Sequence, residues 1–187
     1  MHTTGEIFWN FIVDNIRIIP SWMYWAAALM FIGGGVLLWV VCGKEKGGMY
    51  VARLFSLLYI VLLFCATVIY RKTLPRPDCK FHPFWHYNSI RQGVDVEVLL
   101  PDAVLNVLVF IPVGLALCLS FKKRRWLVPL IGFGISFTIE LFQLLFLKGC
   151  TDVDDVIHNT IGCLVGCGVY WLGVRGVRRL VELRVNR

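Results

Sequence analysis

Long apolar runs separated by polar segments constrain the fold of this chain more than any other feature. Several of these runs approach the roughly 20 residues that an α-helix needs to cross a bilayer. Of the 187 residues, 58% are hydrophobic and only 17% are charged, whereas about a quarter of the residues in an ordinary soluble domain carry a charge. We therefore predict an all-α, polytopic membrane helix bundle of about five transmembrane helices. The whole chain, residues 1–187, is expected to form this single integral membrane domain.

An interfacial helix is expected before the first span. In residues 5–19 the apolar side chains recur at helical spacing and the polar ones fall on other faces, which is typical of a helix lying on the membrane surface. The predicted spans are residues 22–42, 51–70, 102–121, 126–147 and 156–174. Within the last span, the spacing of Gly162 and Gly166 predicts close packing against another helix.

The basic residues predict the orientation of the bundle. They are concentrated at residues 44–53, 122–125 and 175–187, which fall on one side of the membrane if five spans alternate. The positive-inside rule makes that side, including the C-terminus, cytoplasmic. The polar segments 71–101 and 148–155 then face outward. The formal net charge of +7 thus indicates attraction to anionic lipid, and no nucleic-acid motif is present.

Unusual polar residues lie within or at the outer ends of the predicted spans, where their burial is costly and points to a functional site. Three pairs spaced three or four apart each share a helix face: Asp102 with Asn106, Glu140 with Gln143, and Asp155 with Asn159. We expect them to meet in one acidic, hydrogen-bonding site in the outer leaflet. The candidate binding residues are Arg71, Trp85, Asn106, Gln143, Asp154, His158 and Asn159.

Glu140 is the most unusual of these residues, because a carboxylate at the centre of a span costs roughly 2.5–3.5 kcal/mol on insertion scales. It is expected either to pair with a cation, for which Arg71 is a candidate, or to be protonated. In a catalytic site, Glu140 and Asp155 are the acid–base candidates. The simpler alternative is that Glu140 and its polar neighbours only tie the helices together by hydrogen bonds.

Other polar residues have plainer interpretations. Asp152 is expected to be a solvated loop residue, and Asp154 suits the positive end of a helix dipole. The carboxylates and histidines match no known spacing of metal ligands, so we predict no metal and no cofactor. Most cysteines lie in apolar runs and are expected to pack. Cys79 and Cys150 lie in outward segments, and the sequence does not decide whether they form a disulfide.

Residues 71–101 form the longest polar segment, and a segment of this length is typical of a functional loop or a lid. Its aromatic part, residues 84–87, is the candidate lid, and residues 90–100 are expected to form a short surface helix.

The runs DAVLNVLVFIPVGLAL, TIELFQLLF and DVDDVIHNTIGCLVG, preceded by HPFWHY, resemble the VanZ-like family of bacterial membrane proteins. The similarity covers about residues 70–170. Phe81, His82, Lys148 and Asp152 depart from residues that are common in that family. The resemblance implies a multi-pass protein of the bacterial plasma membrane, and a link to resistance against glycopeptide antibiotics, notably teicoplanin. It does not supply a biochemical activity.

Three functions stay open. The protein could alter the access of glycopeptide antibiotics by binding a lipid or the tail of the drug in the outer-leaflet site. It could instead be a membrane enzyme that modifies an envelope lipid or a cell-wall precursor, or a non-catalytic assembly protein. The expected partners are membrane lipids, together with a lipid-linked cell-wall precursor or a glycopeptide antibiotic.

Overall fold

The computed structural model of the protein describes residues 45–94, 96–121 and 123–185. The expected interfacial helix at residues 5–19 and the first predicted span at residues 22–42 lie outside the described residues. The elements in chain order are α1 (Glu45–Phe64), β1 (Asp78–Lys80), α2 (Trp85–Arg91), α3 (Val96–Ser120), α4 (Val128–Phe146), β2 (Cys150–Asp152) and α5 (Val153–Val185).

Three helical segments in the described part of the chain are long and apolar enough to cross a membrane. They are Val96–Ser120, Arg125–Phe146 and Val153–Gly173. A shorter apolar helix, Arg53–Ile69, corresponds to the predicted span at residues 51–70. It combines most of α1 with the π-helical turn Cys65–Ile69. These helices confirm the prediction of an all-α membrane bundle.

Helices α3 and α5 pack closely because glycines lie at their contact. A side chain at Gly162 would collide with the backbone oxygen of Val107, and one at Gly166 with that of Ile111. The predicted small-residue packing of α5 is therefore confirmed. The buried core around this contact includes Phe110, and long apolar side chains such as Leu108 remain exposed on the outside of the bundle, as expected for surfaces that contact lipid.

The expected surface helix at residues 90–100 is not present. Helix α2 ends at Arg91, and a turn that contains Gly93 with a φ of 72° follows. Helix α3 then begins at Val96 and continues through Pro101. A proline has no backbone N–H, so within α3 the carbonyl of Glu97 receives no hydrogen bond from Pro101.

A short parallel pairing joins the long polar segment to the beginning of α5. Strand β1 pairs with β2, so that Cys79 lies opposite Thr151 and Asp78 opposite Cys150. Strands of three residues are too short to give an alternating pattern in the sequence. Cys79 and Cys150 are both free thiols. This pairing places the segment after α1 beside the first residues of α5.

Candidate functional site

Asp152 caps the first turn of α5. Its Oδ1 accepts a hydrogen bond of 2.8 Å from the backbone N–H of Asp154, which satisfies a donor that the helix leaves free. The turn before it reverses the chain through Leu147 and Gly149, with φ values of 55° and 73°. Asp152 is only 5% exposed. The expectation of a solvated loop residue was wrong, because a cap and its donors bury this side chain.

Two aspartates hold α2 against the beginning of α5. The carboxylate of Asp152 accepts hydrogen bonds from Trp85 Nε1 at 2.8 and 2.9 Å and lies 3.0 Å from His86 Nε2. The carboxylate of Asp154 accepts the backbone N–H groups of Phe84 and His86, at 2.5 and 2.9 Å. These N–H groups belong to the first turn of α2, so Asp154 satisfies donors on that helix, not on its own.

Burial and the carboxylates of this region shift the pKa values of His86 and Cys150. Burial lowers the pKa of His86, but its hydrogen bond to Asp152 and the charges of Asp152 and Asp154 outweigh burial and raise the pKa above 6.5. Burial also raises the pKa of the Cys150 thiol to about 12, and the carboxylate of Asp78 adds to this. Cys150 is therefore held as a neutral thiol.

His158 lies beside α2. Its Nε2 is 2.9 Å from the hydroxyl of Tyr87, and its ring lies 5.5 Å from that of His86. Both histidines line a second cavity of about 300 Å³ between α2, α3 and α5, which is otherwise mostly apolar. Trp85, Asp154 and His158, which the sequence grouped with the outer-leaflet site, thus belong to the contact between α2 and α5.

A cavity of about 270 Å³, the central cavity, lies between α1, α3, α4 and α5. One part of its wall is apolar and includes Leu62, Ala66, Leu105 and Val109. Its polar lining residues are Tyr59, Thr67, Arg71, Asn106, Glu140, Gln143, Asp155 and Asn159. All of these except Tyr59 and Thr67 are residues that the sequence singled out, so the structure brings six of the candidates together.

Hydrogen bonds fix the acidic residues of the central cavity. Glu140 Oε2 accepts the backbone N–H of Asp152 at 2.8 Å, and Asp155 Oδ1 accepts Asn106 Nδ2 at 2.6 Å. Glu140 is 5% exposed and Asp155 is 7% exposed. No ion pair joins Arg71 to Glu140 among the described residues, and the Arg71 side chain instead lies over Gly149. The expected pairing of these two charges is therefore not formed.

The amides of the central cavity leave acceptors unused. Gln143 Nε2 donates to the backbone oxygen of Thr67 at 3.0 Å, and Asn159 Nδ2 donates to Ser136 Oγ at 2.7 Å. The amide oxygens of Gln143 and Asn159 are buried and have no hydrogen bond donor in the described part of the chain. A backbone carbonyl can only accept, so its contact fixes the orientation of Gln143. This end of the cavity is consequently richer in acceptors than in donors.

The sequence did not single out Asp152, His86 and Tyr87 as contacts of this region. A signal for Asp152 was present, because an aspartate directly before an apolar helical run is a favoured N-cap. The contacts of His86 and Tyr87 with α5 span about 70 residues of chain, and no local pattern reports them. The candidate lid at residues 84–87 contributes no residue to the described lining of the central cavity.

Two sequence comparisons with known proteins identify the family of this chain. A family model described as VanZ/LLP1 matches residues 50–174, which is more than half of the chain. The chain is also similar to Protein VanZ of Enterococcus faecium, with 44% identity over 92 residues. That alignment covers 48% of this chain and 50% of the relative, so the match spans only about half of the relative's length. No solved structure matches the chain. The protein is a bacterial membrane protein and belongs to the VanZ/LLP1 family.

Proposed function

We propose that the central cavity binds the polar head of an envelope amphiphile, and that this binding alters susceptibility to glycopeptide antibiotics of the teicoplanin type. The amphiphile is a lipid, a lipid-linked cell-wall precursor or the acylated antibiotic itself. The observation that carries the proposal is a single cavity with an apolar wall and an acidic, amide-rich end. Pockets of mainly apolar lining with a few convergent polar groups are typical of small-molecule sites.

The size and chemistry of the central cavity favour part of an amphiphile. Its volume of about 270 Å³ is slightly below the 300–1,000 Å³ typical of ligand pockets, which fits a headgroup with the first part of its chain. The free amide oxygens of Gln143 and Asn159 and the carboxylates of Glu140 and Asp155 favour a head that donates hydrogen bonds, such as an amine or a hydroxyl-rich group. Arg71 supplies a single cation at the same lining.

The proposed orientation places this polar end at the outer face of a multi-pass protein with a cytoplasmic C-terminus. Asp102 and Asp155 lie near the beginnings of α3 and α5, whereas Lys123, Arg124 and Arg125 lie between α3 and α4 at the other end. The positive-inside rule assigns the basic end to the cytoplasm. A lipid or an antibiotic in the outer leaflet could then reach the central cavity directly.

Filling the apolar wall tests the proposal. Ala66→Trp adds a large side chain to the lining of the central cavity, and Leu130→Trp is the matched control because Leu130 is 60% exposed on the outside of α4. In a bacterium that lacks relatives of this protein, the wild-type chain and the control should raise the inhibitory concentration of teicoplanin. Ala66→Trp at equal membrane abundance should not. Equal protection by Ala66→Trp, or none by the wild type, would contradict the proposal.

A membrane enzyme that modifies an envelope lipid or precursor is the second candidate. The observation that favours it is the presence of two buried carboxylates, Glu140 and Asp155, on the wall of one cavity. They would act as an acid–base pair. Glu140→Gln keeps the shape and removes the proton transfer, so full protection by this variant would exclude the catalytic reading. If cavity filling also leaves protection intact, the polar residues serve packing or assembly alone.

A further inference from the structure

Ligand-type side chains from three helices meet around His86. A ring nitrogen of His86 and one carboxylate oxygen each of Asp102 and Asp155 lie within 4.8 Å of one another. The same is true of His86, Asp152 and Asp154. The two sets share the histidine but differ in how far the fold already uses their carboxylates.

In the set that contains Asp152 and Asp154, both carboxylates already have hydrogen bond donors within the fold. Asp152 accepts hydrogen bonds from the Trp85 indole and the backbone of Asp154, and also contacts His86. Asp154 accepts two backbone N–H groups of α2. Carboxylates that are surrounded by donors in this way are structural anchors, and a cation would have to displace those donors.

In the set that contains Asp102 and Asp155, the carboxylates have few hydrogen bond donors in the described part of the chain. Asp102 accepts no hydrogen bond from the described part of the chain, and Asp155 accepts one, from Asn106. Among the described residues no ion pair forms with either carboxylate, and the charge of Arg71 acts on both only from beyond ion-pair distance. Two carboxylates this close repel each other strongly when they are partly buried. A positive charge between them would remove that repulsion.

His86 provides the second, independent indication. The residue is 1% exposed, its Nε2 contacts the carboxylate of Asp152, and its Nδ1 has no partner among the described residues. Histidines that bind metals usually donate their other ring N–H to a carboxylate, which orients the ring. A buried imidazole with one nitrogen held in this way and the other unpartnered fits a metal ligand better than a core histidine, whose polar atoms would normally be paired.

We propose that His86, Asp102 and Asp155 bind a divalent cation at the outer ends of α3 and α5. One imidazole and two carboxylates suit Zn²⁺ or Mn²⁺. The cation site lies outside the central cavity and shares only Asp155 with its lining. It joins α2, α3 and α5, and can form whether or not the central cavity binds an amphiphile.

Mn²⁺ binding to the full-length protein in detergent, after treatment with a chelator, tests the proposal. Electron paramagnetic resonance of free Mn²⁺ should show saturable binding of about one ion per chain, and Zn²⁺ should displace it. Asp102→Asn keeps the shape of the side chain but removes its charge. It should weaken Mn²⁺ binding by about 100-fold or more, because loss of a residue that only supports a metal ligand already lowers metal affinity by up to about 100-fold. Asp78→Asn removes the same charge from an exposed position on β1 and should bind Mn²⁺ like the wild type.

Thermal unfolding of the same samples controls for misfolding. Without metal, Asp102→Asn should melt no lower than the wild type, because Asp102 has no hydrogen bond to lose. Added Mn²⁺ should raise the melting temperature of the wild type and of Asp78→Asn, but not that of Asp102→Asn. The proposal is overturned if the wild type neither binds Mn²⁺ or Zn²⁺ nor melts higher with either. It is equally overturned if Asp102→Asn binds as tightly as Asp78→Asn. Neither outcome bears on the central cavity, since no lipid or antibiotic is present.

Discussion

The backbone N–H of Asp152 donates a hydrogen bond of 2.8 Å to Oε2 of Glu140. This contact joins the buried carboxylate of α4 to the residue that caps α5. Asp152 in turn contacts Trp85 and His86 of α2. Glu140 therefore lies between the central cavity and the contact that holds α2. Substitutions that keep or remove its hydrogen bond acceptor can separate its structural role from its role in the cavity.

Replacement of Glu140 separates its structural and functional roles. Glu140→Gln retains an acceptor for the Asp152 N–H, so it should lower the free energy of unfolding by at most about 1 kcal/mol, the difference between a charged and a neutral acceptor. Glu140→Ala leaves that buried N–H unsatisfied and should cost about 1–3 kcal/mol, plus the effect of the void. Thermal unfolding in detergent measures both, with the exposed Glu97→Ala as the control. Similar costs for the Gln and Ala variants would show that the hydrogen bond contributes little.

Asp154 is predicted to control the attachment of α2. Asp154→Ala removes two charge-assisted hydrogen bonds to the first turn of that helix, and should lower its local opening free energy by about 2 kcal/mol. Amide hydrogen exchange in residues 85–91 should then accelerate about 30-fold. Asp78→Ala, on the exposed side of β1, should leave the exchange rates of α2 unchanged. Unaltered exchange in Asp154→Ala would mean that other contacts hold α2.

The glycines of α5 should differ sharply in their tolerance of a methyl group. Gly162→Ala places a Cβ against the backbone of Val107, whereas a Cβ at Gly168 meets nothing within 4 Å. The first substitution should cost about 1–3 kcal/mol through overpacking. The second should stabilise the helix by up to about 1 kcal/mol, because alanine favours helix over glycine. Equal melting temperatures for the two variants would be inconsistent with the packing of α3 on α5.

Cys150 should react slowly with thiol reagents in the folded protein. Because its pKa is raised to about 12, only about one thiol in 10⁴ is ionised at pH 8, and the thiolate is the reactive form. In a variant with Cys150 as its single cysteine, the rate of alkylation by iodoacetamide should rise about tenfold per pH unit between pH 8 and 10. Denaturation should accelerate the reaction at pH 8. A native rate equal to the denatured rate would refute this prediction.

The sequence predicted the helices and much of the lining of the central cavity for identifiable reasons. Asn106, Glu140 and Asp155 lie on separate helices, and each carries a polar group in an apolar run. The cost of such groups in a membrane points them toward one another, and the charge rule places them at one end of the bundle. That reasoning uses only helical spacing and burial, so it does not require knowledge of tertiary contacts.

The contacts of the polar segment could not be predicted in the same way. Strands β1 and β2 are three residues long, and α2 attaches through Trp85 and His86 to aspartates more than 60 residues away. The sequence pattern at Asp152 indicates an N-cap, but no local pattern indicates that its side chain also accepts a distant indole and is buried. For that reason Asp152 was misjudged, and the candidate lid was expected over a cavity that it does not line.

The most direct test of the central claim is an experimental structure of the protein in a bilayer of bacterial lipids, with and without teicoplanin. The account predicts an elongated density in the central cavity, with its polar end beside Glu140 and Asp155 and its apolar part along Leu62 and Val109. A cavity closed by its own side chains, or open but empty under both conditions, would contradict it.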